Sequence, residues 1–196
     1  MTRLIPFDAL SWVPSPEPGV DRKMLERDGG EIARATSIVR YARGSSFHAH
    51  VHDRGEEFLV LSGTFSDEHG DYPEGTYVRN PPGSKHSPFS RDGCIIFVKL
   101  RQFDMRDDRH LVIRPTAHEP CTTLSAFGRE RVELMRLLPG ESTRVRGPIE
   151  LLVVDGGVEH PTAHCARWTW LRSDAEEHLL HADAGASLLV RTRLDI

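Results

Sequence analysis

From Ala33 onward the apolar residues of the chain come in short bursts. ATSIVRYA, EEFLVLSG, GTYVRN, CIIFVKLRQF and HLVIRP are runs rich in β-branched, aliphatic and aromatic residues, separated by Gly, Pro and Asp clusters. Bursts of this length closed by turn formers predict strands with at least one buried face. A helical period of useful length is almost absent; SDAEEHLLH at 173–181 is the best window and it is short. The pattern predicts an all-β chain of sandwich or barrel type. Residues 1–30, with Pro14, Pro16, Pro18 and the Gly29–Gly30 pair, read as an irregular, extended arm able to lay a strand along a sheet edge.

The bursts recur in the same order in the second half of the chain. VELMRLL at 132–138, followed by PGES, resembles VRYARGSS; ELLVVDGG at 150–157 echoes EFLVLSG; GASLLVRT at 185–192 echoes GCIIFVKL at 93–100. This order predicts two similar β-domains in tandem. An arm would cover residues 1–30, a first domain 31–115 and a second domain 116–196.

The 196 residues, 38% hydrophobic and 28% charged, supply ample material for a core. A net charge of -4 favours neither nucleic acid nor an anionic membrane as partner. Apolar runs long enough for a membrane span are missing, and the opening MTRLIPFDALSW lacks the pattern of a signal peptide, so a cytoplasmic location is expected. Cys94, Cys121 and Cys165 stand singly, without CxxC spacing. Reduced thiols are expected rather than a disulfide framework or a cysteine zinc knuckle.

The chemistry concentrates in FHAHVHDRGEEFLVLSG, Phe47 to Gly63. On a strand His48, His50 and His52 share one face, a costly arrangement beside a run as apolar as FLVL unless the imidazoles meet something. His50 and His52 would have Cα atoms roughly 6.5 Å apart, a span that two side chains close onto one ion. Asp53-Arg54-Gly55 turns the chain so that Glu56 returns a carboxylate to the same centre. The Pro81-Pro82-Gly83 turn brings His86 back from a second hairpin. Three imidazoles and one carboxylate suit Zn, Fe, Ni, Mn or Cu rather than Ca or Mg, and leave positions open for water or substrate. Around this set, His48 is expected at the barrel mouth, Glu57 pointing away toward the surface, and His69 in a solvated turn. Tyr77 and Arg79, alternating on one strand, either face the cavity and meet an anionic substrate or pack outward. Phe47, Phe58, Phe89 and Phe97 read as core, Trp168 and Trp170 as core or interface.

The spacing from Gly44 to Ser90 resembles the two motifs of the cupin superfamily. The first runs Gly44, His50, His52, Glu56, Gly63 and the second Gly75, Pro81, Gly83, His86, with Ser90 where the family often has Asn. The resemblance places the family's metal ligands on His50, His52, Glu56 and His86. The run from Glu56 to Phe103 is similar to the cupin of the ChrR type, the zinc-binding domain of an anti-sigma factor that senses singlet oxygen. Stand-alone double cupins are also compared with dioxygenases that cleave acetylacetone.

The resemblance implies tandem jelly-roll (double-stranded β-helix) barrels, the second of them degenerate, and one divalent metal ion per chain, zinc or iron first and nickel or manganese next. It also implies a small-molecule ligand or substrate and a homodimer. Two functions are implied with it: a metal-dependent sensor or binding module, or an iron(II)-type dioxygenase acting on a small diketone-like substrate. Sigma-factor binding is not expected, because the helical domain that grips the sigma factor has no counterpart in the 30 residues ahead of the first cupin strand. In the second half, setting Gly185 on Gly93 puts His178 where His86 stands. Setting Gly157 on Gly63 puts Glu150 at Glu56 and replaces the histidine pair by Arg144 and Arg146. Arginine cannot serve as a ligand, so the second domain is expected to be structural, an Arg–Glu pair taking the place of the ion.

Overall fold

The computed structural model describes residues 1–30, 32–116 and 118–193. Among them, regular structure is strand apart from a single 3-10 turn at Phe7–Ala9. Among the described residues no helix is long and apolar enough to cross a membrane. The chain forms two compact units: Ser11–Arg114, and residues 1–10 together with 115–196.

In the unit Ser11–Arg114 the main antiparallel sheet runs in the order Leu111–Ile113, Tyr77–Asn80, Glu56–Asp67, Cys94–Leu100, Arg34–Tyr41, Val20–Asp28, Val13–Pro14. Two short ladders complete it: His50–His52 with Ser84–His86, and Ser45–Ser46 with Phe89–Ser90. Alternate residues of the central strands meet in one core, with Val39, Phe58, Val60, Phe65, Tyr72, Val78, Ile96 and Val98 among its buried members. The twelve-residue strand Glu56–Asp67 serves both parts. Up to Gly63 it pairs with Cys94–Leu100, and from Thr64 it pairs with Gly70–Pro73. Gly63 makes the bend possible: its φ is +75°, and a Cβ there would stand 2.3 Å from the Gly93 carbonyl oxygen. Gly63→Ala is therefore expected to destabilise the unit by at least about 2 kcal/mol, read as a lower urea midpoint at unchanged slope.

The other unit has its main sheet in the order Thr2–Ile5, Trp170–Ser173, Ile149–His160, Ala186–Arg193, Glu130–Leu137, Cys121–Phe127. The path follows the first six strands of the first unit, with Thr2–Ile5 in the place that Leu111–Ile113 takes there and, among the described residues, no counterpart to Val13–Pro14. Gly156 repeats the bend of Gly63: φ +70°, with a Cβ that would stand 2.2 Å from the Gly185 carbonyl oxygen. Its core is aliphatic, built on Val145, Ile149, Leu151, Val153, Leu171, Leu180, Leu188 and Val190.

Two expectations change. Residues 1–30 are not one irregular arm: Thr2–Ile5 pairs with Trp170–Ser173, and Val20–Asp28 is a nine-residue strand against Arg34–Tyr41. The charged composition of DRKMLERD hid this strand, and that composition suits its place, since only the two residues Val13–Pro14 cover its far edge. The segment 173–181 carries no helix. Glu177–Ala182 is a strand whose period is two, with His178, Leu180 and Ala182 buried and Glu177 and Leu179 exposed.

Candidate metal centre

The ladder between His50–His52 and Ser84–His86 sets His86 opposite His50 and Ser84 opposite His52. The backbone carbonyl of His52 accepts from the N–H groups of Gly55 and Gly83, which ties the two turns together. Gly55 has φ +75°, and the ring of Phe103 fills the space where its Cβ would be, 2.0 Å away. The next residue, Glu56, opens the long strand opposite Asn80, whose Nδ2 donates to Glu56 Oε2 at 3.1 Å.

One ligand atom from each of His50, His52, Glu56 and His86 lies within 4.8 Å of the others. The three imidazole centroids are 4.7, 4.8 and 5.2 Å apart. His52 Nε2 and His86 Nε2 are buried without a hydrogen-bond partner, 3.4 and 3.5 Å from Glu56 Oε2. A buried nitrogen left unpaired costs about 1–3 kcal/mol, so two of them aimed at one carboxylate call for a cation between them. On two of the rings the second nitrogen is engaged: His50 Nδ1 donates to the His48 carbonyl at 2.8 Å and His86 Nδ1 meets Asp67 Oδ2 at 3.1 Å. Such bonds fix the tautomer that leaves the Nε2 lone pair free. The donor set and its geometry fit a transition-metal ion.

Burial pushes His52 below its ordinary pKa, against the opposing charge of Glu56. At His86 burial acts in the same sense, but the bond to Asp67 and the charge of Glu56 outweigh it and raise the value. Burial would raise Asp67; bonds from His86, the His69 backbone N–H and the Tyr72 hydroxyl hold it below the usual carboxylate range.

A cavity of about 280 Å³ opens in front of these donors, between apolar walls that include Phe47, Val39, Ile96, Val98 and Leu100.

The ChrR cupin-like domain family matches residues 2–104, more than half of the chain. The chain belongs to the ChrR cupin-like family. Its fold is shared with solved cupin-type structures at low identity. Pirin YhhW of Escherichia coli, in complex with nickel(II), is 15% identical over 100% of both chains, with a TM-score of 0.81. A protein of Nostoc punctiforme provisionally named a dioxygenase is 14% identical over 99% of this chain and 82% of its own, with a TM-score of 0.78. YlbA of Escherichia coli is 16% identical over 100% of this chain and 92% of its own, with a TM-score of 0.75. No curated protein sequence matches at a significant level.

Within this cupin the four expected donors are brought together, while their neighbours take different places. His48 is exposed and meets Glu17 at 2.8 Å. His69 is exposed. Glu57 does point away from the site, yet it is buried rather than on the surface. Tyr77 and Arg79 share that opposite face and do not line the cavity. The Tyr77 hydroxyl donates to Glu57 at 2.7 Å, and Arg79 bridges Glu57 (2.9 Å) and Asp107 (2.7 Å). Asp67 and Asn80 are partners that sequence spacing alone did not point to. Asp67 is eleven residues beyond Glu56, an odd separation that puts two side chains on opposite faces of a regular strand. An extra residue at Leu61, seen as a register shift opposite Ile95 and Ile96, restores it to the site's face.

The second unit corrects the alignment by one residue. Gly156, not Gly157, pairs with Ala186 as Gly63 pairs with Cys94. Ile149 therefore stands where Glu56 does, and Glu150 where Glu57 does. Trp170 Nε1 donates to Glu150 at 3.0 Å, as Tyr77 does to Glu57. Val145 lies opposite His178 as His50 lies opposite His86, so Arg144 and Arg146 flank the inward position and are exposed. Arg144 pairs with Glu177 at 3.1 Å. No Arg–Glu pair replaces the ion: at that place the unit has Val145 and Ile149, and His178 turns to His160 at 3.2 Å.

Proposed function

We propose that the chain holds one divalent metal ion on His50, His52, Glu56 and His86, and that this centre binds a small molecule entering through the adjoining cavity. The observation that carries the reading is the pair of buried, unpartnered Nε2 atoms converging on Glu56 beside a cavity with apolar walls. A bound ion of this kind supplies a Lewis acid with open positions. The protein supplies the rest. His48 and Asp67 hold the imidazoles in register, Asn80 orients the Glu56 carboxylate, and the apolar walls thin the water around a bound molecule. Zinc, iron, nickel and manganese all suit this donor set.

His50, His52 and Glu56 line the cavity, and among its other described lining residues Asp53 is paired with Arg101 at 2.5 Å. Tyr41 also faces the cavity, and burial together with Glu56 holds its phenol protonated, far above its ordinary pKa. Ligand sensing at this centre is the first reading, and oxidative cleavage of a small diketone-like substrate the second.

Cobalt substitution tests the open position: azide added to the cobalt protein is expected to shift its visible absorption bands, and unchanged bands would count against the reading. Removing the carboxylate behind His86 tests the ligand set independently. Asp67→Ala is expected to weaken metal affinity about 10–100-fold, measured by competition with a chromophoric chelator.

A further inference from the structure

The charged residues of the cavity do not balance. Among the described residues Arg22, Arg27 and Arg101 line it, with only Asp53 and Glu56 against them. Asp53 is taken by Arg101, and Glu56 belongs to the donor set. Among the described residues Arg22 and Arg27 meet backbone carbonyls alone. Arg22 Nη2 reaches the Pro14 carbonyl at 3.5 Å, a weak contact, and Arg27 Nη2 donates to the Gly30 carbonyl at 2.5 Å. Arg22 Nε is buried with no partner at all.

The backbone brings the two guanidinia to one face. Five residues apart on a regular strand, they would point to opposite sides. A bulge between Met24 and Glu26 adds one residue, so that Arg22 pairs with Val39 and Arg27 with Ala35, two residues that also line the cavity. Bulges re-aim side chains next to binding sites. Two like charges on the wall of one apolar cavity repel each other until an anion joins them. Burial lowers the pKa of Arg22 from its ordinary value, and the charge of Arg27 lowers it further.

We infer that Arg22, assisted by Arg27, is the subsite for a carboxylate at one end of the molecule this cavity binds. The inference rests on the proposed metal site for the other end: an anionic group on Arg22, an apolar body against Val39, Ile96 and Val98, and a second polar end toward the metal donors. A planar carboxylate can take Nε together with an Nη of the fork, the geometry for which arginine is suited.

The test is titration calorimetry at neutral pH on chelator-treated and on zinc-loaded protein, with benzoate, benzamide and inorganic phosphate as probes. Benzoate is expected to bind both forms, with benzamide about tenfold weaker or more. Arg22→Gln is expected to cost benzoate about tenfold in both forms, at unchanged melting temperature and zinc content. Arg27→Gln, an exposed position that tolerates the change, is expected to cost about threefold. Benzoate binding to the chelator-treated protein, lost in Arg22→Gln, upholds the subsite even if zinc never binds, which would sink the metal reading alone. The inference is overturned if benzoate does not bind or benzamide binds as well. It also falls if phosphate binds more tightly than benzoate or if both variants retain full affinity.

Discussion

Arg79→Met is expected to lower the stability of the unit Ser11–Arg114 by about 3–5 kcal/mol, seen as a lower midpoint in urea or thermal unfolding. The Arg79 side chain is 1% exposed, between Glu57 at 4% and Asp107 at 0%. Its guanidinium carbon stands 3.6 Å from the centre of the Phe103 ring, the ring that fills the space beside Gly55. Removing the arginine takes a buried cation from between Glu57 and Asp107; Asp107 keeps Arg109 at 2.7 Å, but neither buried carboxylate can turn to water to replace Arg79. Methionine fills much of the volume, so the loss measures the charge and not a cavity.

The pH dependence of that loss comes from Asp107. Burial would raise its pKa, but bonds from Arg109 and the charge of Arg79 outweigh burial and depress it. A carboxyl depressed in the folded state stabilises above its unfolded pKa, about 4, and the contribution is lost as pH falls through the folded value. The difference between wild type and Arg79→Met should therefore be full at pH 7 and shrink in acid below pH about 4. A difference that persists undiminished in acid would assign the effect to packing.

The second large effect concerns the donors. His52→Ala and His86→Ala are each expected to weaken metal affinity more than about 100-fold, beyond the 10–100-fold typical of residues that only orient ligands. Both rings are buried with Nε2 unpartnered, so each variant removes a donor for which nothing nearby can substitute. His48→Ala removes an exposed ring that meets only Glu17 through its side chain, and it should leave metal content unchanged. Equilibrium dialysis against zinc separates these cases. Because imidazoles must be neutral to bind, occupancy of the wild type should also fall in acid.

The strands and donors that local spacing fixes were legible in the sequence. His50 and His52 read as a pair because two residues on a strand share a face, and the Asp53–Gly55 turn led to Glu56. His86 came from resemblance to a two-motif pattern. Bulges and strand pairing decided the features that a local period cannot show. The extra residues at Leu61 and Leu25 reverse the facing of the residues beyond them, which hid Asp67 and put Arg27 beside Arg22. Glu57 looked like a surface residue since it alternates with a ligand, but the far face of this sheet is buried, so it carries a polar network instead. In the second unit, two consecutive glycines at 156–157 left the register open by one residue, and only the strand pairing chose Gly156. That one step moved Glu150 out of the ligand position and exposed the two arginines.

The measurement that bears most directly on the metal centre is the metal content of the protein purified without added metal or chelator, by elemental mass spectrometry, alongside His50→Ala. About one transition-metal ion per chain is expected, lost in the variant. No metal, or about one ion per chain that survives in His50→Ala, would contradict a centre built on these four donors.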